Sequence, residues 1–168
     1  RVMTFRLVPH GQGPATTGPA RHLGTTAIER AQPGDVIVVE QRTGIESGCW
    51  GGILTLGAKV RGIAGVVADG LVRDLDEAVA YDFPVFSRGS TARTARGRVT
   101  EADTGEPITV GEVRVCAGDY VIADRSDVVF IAAADIERVL EAAEMIFARE
   151  AAMTKALLEG TPISQVMG

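Results

Sequence analysis

Six residues constrain this chain most: Asp35-Val36-Ile37-Val38-Val39-Glu40, four β-branched apolar residues in a row between two acids. A continuous apolar run of this length reads as a buried strand. It is followed by a glycine-rich turn, Gly48-Cys49-Trp50-Gly51-Gly52, by a helix over about 52–61, and by a second apolar run, Ile63-Ala64-Gly65-Val66-Val67-Ala68. Residues 2–8 predict an earlier strand, and 23–31 a short helix stopped by Pro33-Gly34. Residues 75–81 predict a helix whose positive end is favoured by Asp74, Asp76 and Glu77. Phe83-Pro84-Val85-Phe86 and stretches at 112–116, 120–124 and 127–131 read as strands, the last two close enough to pair antiparallel. Residues 87–111 read as mostly irregular or edge strand, and 9–19 as a loop. Helices interleave with strands early and strands cluster late, which predicts an α/β fold with a mixed sheet.

The chain's 168 residues favour one domain with a real core. Aromatics are 5% of residues, so that core must be mostly Val, Ile, Leu and Ala. A long helix is expected over about 136–159, with an apolar stripe through Ile136, Leu140, Ala143, Phe147 and Leu157/Leu158, Asp135 capping its start, and Gly160 and Pro162 stopping it. At 1.5 Å per residue it spans ~36 Å. That exceeds the needs of so small a domain, so one end is expected to pack on a neighbouring subunit.

The net charge of −5 argues against a general nucleic-acid binder. Two cysteines, Cys49 and Cys116, supply no disulfide framework, which fits a reducing cytoplasm. Cys49 has no His-Asp or His-Asn context that would make it a nucleophile. No apolar run approaches a membrane span, and no secretory signal is present. Arg1 already belongs to strand-like sequence, so a preceding segment is expected.

Two loops carry chemistry. The glycines at 51 and 52 open a helix whose first backbone N–H groups can receive an anion. After the second apolar run, Asp69-Gly70-Leu71-Val72 leads into Arg73-Asp74, with Asp69-Gly70 read as a turn pair and Asp69 near enough to support a metal ligand from behind. A guanidinium holds a carboxylate through two parallel hydrogen bonds, and an adjacent carboxylate can ligate Mg²⁺. The competing reading has Asp74 cap the helix beginning at Leu75, with Arg73 solvated. Arg88, Arg93, Arg96 and Arg98 crowd one loop, 87–98, which offers a place for a second acidic group of a substrate or for RNA; without interleaved aromatics for base stacking, a solvated loop is the favoured reading. His10 and His22 are isolated, and Trp50 is read as a core or interface anchor.

The run Trp50-Gly51-Gly52-Ile53-Leu54, Ala58-Lys59-Val60-Arg61-Gly62, Gly65-Val66-Val67-Ala68-Asp69-Gly70-Leu71-Val72-Arg73-Asp74 and Phe83-Pro84-Val85-Phe86 closely resembles the RraA-like family. That family holds regulator of ribonuclease activity A and the class II 4-hydroxy-4-methyl-2-oxoglutarate/4-carboxy-4-hydroxy-2-oxoadipate aldolases. The resemblance continues through residues 118–124 and 128–131. It implies a compact β/β/α core of the swivelling-domain type and a homotrimer or hexamer with sites between subunits. It also implies Mg²⁺- or Mn²⁺-dependent lyase chemistry on a small 2-oxo acid through a metal-stabilised enolate. By position, Arg73 matches the arginine that holds pyruvate or its enolate, and Asp74 matches the metal ligand. The N–H groups of Ile53 and Leu54, at the turn through Gly52, match those that receive the substrate carboxylate. The resemblance equally allows a non-catalytic regulator with a ribonuclease partner. The sequence departs from the family at Gly52, where the aldolases carry an acid separated from the Arg-Asp pair by twenty residues. Glu46 is the nearby acid considered as its substitute. By the same resemblance, the family's C-terminal interface acid and its N-terminal helices are not expected within residues 1–168.

Overall fold

The computed structural model describes residues 1–14 and 21–168, so part of the expected 9–19 loop lies outside the described residues. The described residues divide into two compact units, Arg1–Phe130 and Ile131–Gly168.

The first unit is organised by a five-stranded sheet. β1 (Val2–Pro9), β2 (Val36–Glu40), β3 (Gly65–Val72), β4 (Val85–Ser90) and β5 (Val99–Thr104) lie in the order β4-β3-β2-β1-β5. β1 to β4 are parallel, and β5 runs antiparallel to β1 at the edge, so the sheet is mixed as the sequence predicts. Three helices join these strands: α1 (Thr25–Arg30), α2 (Gly52–Val60) and α3 (Leu75–Ala80).

Burial on both faces explains why the 36–39 run never alternates. Ile37 and Val39 join Phe5, Trp50, Leu54, Ala58 and Val66 in a core beneath α1 and α2. Val38 joins Val2, Val67, Ile108 and Val115 in a second core on the other face. That face is covered by paired strands β6 (Ile108–Val110) and β7 (Val113–Val115), and by β8 (Tyr120–Ala123) with β9 (Val128–Ile131). Val121, Val128 and Phe130 pack against this second core. Helices, central sheet and small hairpins form the expected β/β/α layers.

One local expectation fails in this unit. Asp69-Gly70 is no turn; it lies within β3, where the β3–β4 register shifts between Ala68 and Leu71. The bulge lets the strand run on to Val72, and Gly70 permits a close approach at which a Cβ would meet the Gln41 Cβ at 2.6 Å. Residues 87–111 hold the end of β4 and all of β5, the two edges of the sheet, together with the short β6 and an irregular 91–98, as the sequence predicts.

The second unit contains a 3-10 turn at Ala133–Asp135, α4 (Ile136–Leu158) and α5 (Ile163–Val166). Asp135 does not cap α4 through its side chain; its carboxylate pairs with Arg138 Nη2 at 3.0 Å. Gly160, at φ 93°, lies just past the helix end. No residue of α4 is buried, and Phe147 and Leu158 of the predicted stripe are exposed. Among the described residues no helix is long and apolar enough to cross a membrane.

Candidate active site

β3 and β4 end side by side, and the chemistry-bearing residues follow their carboxyl ends, where open α/β sheets bind ligands. Backbone hydrogen bonds fasten the glycine turn to the end of β3. Cys49 N–H donates to the Leu71 carbonyl at 2.8 Å, and Arg73 N–H donates to the Trp50 carbonyl at 2.9 Å. Thr91 N–H, just past β4, donates to the Val72 carbonyl at 3.0 Å. Trp50 is a core anchor, with its indole N–H donating to Thr55 Oγ1 at 2.9 Å. The two loops picked out in the sequence are therefore one structure.

The glycines of the turn make room for the charges opposite. A Cβ at Gly48 would lie 2.5 Å from Arg73 Cγ, and one at Gly51 would lie 2.9 Å from Asp74 Oδ2. Gly52 is the first residue of α2, and its N–H donates to Asp74 Oδ2 at 3.0 Å. Ile53 and Leu54 follow in the first turn, whose N–H groups have no carbonyl within the helix to bond. Arg73 Nη2 lies 3.6 Å from Asp74 Oδ2, with the two side chains 37% and 36% exposed. Asp74 holds a left-handed backbone, φ 58° and ψ 38°, and makes no side-chain cap to α3. The competing helix-cap reading is right about capping and wrong about the helix. A cleft of about 760 Å³ opens beside the pair, lined by Arg73, Asp74, Asp76, Ser90 and Thr91 among others.

Several candidates are drawn into structural work. Glu46 accepts from Thr91 Oγ1 at 2.8 Å and pairs with Arg93 at 3.3 Å, so it is not at Gly52. Asp69, buried, accepts from Arg88 Nε and from Gly111 N–H, each at 2.7 Å. Two of the four clustered arginines are thus already committed to carboxylates. Cys49 is buried, and burial pushes its thiol from an ordinary 9.0 up to about 12, which removes it as a nucleophile.

Sequence reasoning alone does not single out Glu77. Glu77 lies in the first turn of α3, and its carboxylate occupies the space above Gly52. Asp76 and Glu77 stand side by side in the same first turn, and only the facing glycine separates them.

An RraA-like family model, described as Aldolase/RraA, matches residues 1–130. The chain belongs to the RraA-like family. A Halalkalibacterium halodurans protein provisionally named as a 4-hydroxy-4-methyl-2-oxoglutarate aldolase is 30% identical over 164 residues, 92% of this chain and 78% of the relative. An uncharacterised Methanocaldococcus jannaschii protein is 30% identical over 131 residues, 73% of this chain and 58% of its own length. Among solved structures, RraAS2 of Streptomyces coelicolor, described as an unusual member of the RNase ES inhibitor RraA family, has a TM-score of 0.75 at 25% identity, covering 89% of this chain and 72% of that one. A Pseudomonas syringae protein shares the fold at a TM-score of 0.85 and 24% identity, covering 99% and 76%. The RraA-like family includes both aldolases and ribonuclease regulators, so membership leaves the activity to the site itself.

Proposed function

We propose that this RraA-like chain is a cytoplasmic, divalent-metal-dependent lyase that releases pyruvate from a small 2-oxo acid. Oxaloacetate decarboxylation is the favoured reaction over aldol cleavage. The observation that carries this reading is the Arg73-Asp74 pair, set at the end of a parallel strand with Asp74 touching the first N–H of α2.

The residues fit a hydrated Mg²⁺ or Mn²⁺. Among the described residues no group of three or more His, Cys, Asp or Glu converges. Mg²⁺ needs no such group; it keeps several waters and takes one or two carboxylates. Asp74 is the ligand, and the side-chain-free Gly51 is the cradle that leaves space for its carboxylate. When bound, the cation supplies a Lewis acid that polarises the 2-oxo group. Arg73 binds the substrate carboxylate and the negative charge that develops on the 2-oxo oxygen. The N–H groups of Ile53 and Leu54 orient the carboxylate at the positive end of α2. Decarboxylation needs little beyond this charge stabilisation, whereas aldol cleavage must also take a proton from a hydroxyl.

The side chains of Ile53, Val60 and Val79 are 82%, 78% and 79% exposed on α2 and α3. Apolar residues so open on two neighbouring helices support a homotrimer or hexamer. A second reading is a non-catalytic regulator that binds a ribonuclease. It is favoured by Gly52, which lacks a side-chain acid, and by the likeness to RraAS2. A panel of 2-oxo acids, assayed for pyruvate release with and without Mg²⁺, separates the two. Metal-dependent release from oxaloacetate exceeding release from 4-hydroxy-2-oxo acids is the expected result. No release from any member of the panel would move the assignment to the regulator.

A further inference from the structure

We propose that Glu77 is a second carboxylate for the divalent cation at Asp74, reaching from α3 into the place that a side chain at position 52 would fill. The proposal rests on the reading of Asp74 as metal ligand. The geometry is specific to this one acid. A Cβ built on Gly52 would lie 1.9 Å from Glu77 Oε2, 2.6 Å from Cδ and 3.1 Å from Oε1. The whole carboxylate therefore lies over the glycine, whose N–H is bonded to Asp74 Oδ2. Both acids of the Asp74-x-x-Glu77 turn converge on one residue of α2.

The neighbouring acids do not compete for this place. Glu46 is held by Thr91 and Arg93, and Asp69 by Arg88 and Gly111. Asp76 shares the first turn of α3 and lines the cleft, but nothing places it over Gly52. Glu77 itself makes no side-chain hydrogen bond or ion pair among the described residues, so it is not spent on the fold. A carboxylate serving only the α3 dipole could extend into solvent; this one is laid back across a glycine of another helix. Two carboxylates against the single charge of Arg73 leave a net negative site, which suits a divalent cation. A side chain at position 52 would evict Glu77, so the glycine and the glutamate belong together.

The test is calorimetric titration of the full chain with Mn²⁺ alone, accompanied by thermal melts. Glu77→Gln keeps the shape and removes the charge. It should weaken Mn²⁺ binding at least about tenfold, since losing even an outer partner of a metal ligand costs about 10–100-fold, with an unchanged melting temperature. Glu77→Ala should weaken it equally, and Gly52→Asp combined with Glu77→Ala should recover most of the affinity by returning a carboxylate to the same space. Asp74→Asn is the reference and should abolish binding. Glu77→Gln binding Mn²⁺ like the native chain, while Asp74→Asn does not, overturns the role of Glu77 alone. So does a double variant that melts normally and binds no better than Glu77→Ala. Native affinity in Asp74→Asn overturns the reading of Asp74 and this proposal with it.

Discussion

The carboxylate of Asp74 caps a helix other than its own: Oδ2 accepts the N–H of Gly52 at the start of α2, 3.0 Å away, while α3 begins beside it without a side-chain cap. Asp74 thus ties the end of β3 to the helix across the site. Its left-handed backbone is one that Asp and Asn adopt more readily than most residues.

That geometry separates charge from structure at position 74. Asp74→Asn tolerates the same backbone and keeps an oxygen for the Gly52 N–H, so it should lose Mg²⁺-dependent activity with little change in melting temperature. Asp74→Ala also loses the cap, which costs about 1 kcal/mol. Calorimetry and thermal melts on both variants check this; retained Mg²⁺ affinity in the Asn variant would remove Asp74 as the ligand.

Arg73 should be sensitive both to its own chemistry and to the glycine beneath it. Arg73→Lys surrenders the two-pronged hold on a carboxylate, and losing one charged hydrogen bond of ~1.5–3 kcal/mol lowers kcat/KM on oxaloacetate by about 10–100-fold. Gly48→Ala places a methyl 2.5 Å from Arg73 Cγ and should damage the same parameter without touching any charge. Overpacking of this kind costs ~1–3 kcal/mol, so part of the effect will appear in the melting temperature. A Gly48→Ala enzyme with native kcat/KM would show that Arg73 moves aside freely.

Cys49 predicts an alkaline weakness. Its thiol is raised from 9.0 to about 12 by burial, so the unfolded chain loses this proton first. The contribution is intact below pH 9 and is lost as pH rises towards the folded value, at about 1.4 kcal/mol per pH unit within that window. Urea unfolding at pH 8 and pH 10 should show a larger loss for the native chain than for Cys49→Ala. Equal losses in the two proteins would place the thiol in contact with solvent.

The assembly prediction concerns Ile53 and Val79. Replacing both with Glu should dissociate the proposed trimer, read as molar mass by light scattering. A native protein that is already a monomer would count against the interface on α2 and α3.

The sheet was legible because its central strand is buried on both faces. Val36-Ile37-Val38-Val39 admits no alternation, and the helix that follows it lies within a residue of the expected 52–61, whereas the next strand, expected to end at Ala68, runs on to Val72. Asp69-Gly70 misled because the pair is ordinary turn chemistry; only the β3–β4 register shift and the contact with Gln41 show why a strand needs it. At the site, Arg73 and Asp74 could be named from spacing. Glu77 could not be distinguished from Asp76, since two adjacent acids in one first turn look alike until the facing glycine is seen.

The glycines at 48, 51 and 52 are an imprint of the side chains that oppose them, namely Arg73, Asp74 and Glu77. Tolerance to change at these six positions is therefore coupled in pairs. A scan of single substitutions would rate Gly48, set against the stem of Arg73, as the brittle position and mistake it for a folding element. A scan of double substitutions would find that a larger residue at 48, 51 or 52 is accepted where its counterpart is shortened, and the pairing so revealed would trace the outline of the site without any ligand being supplied.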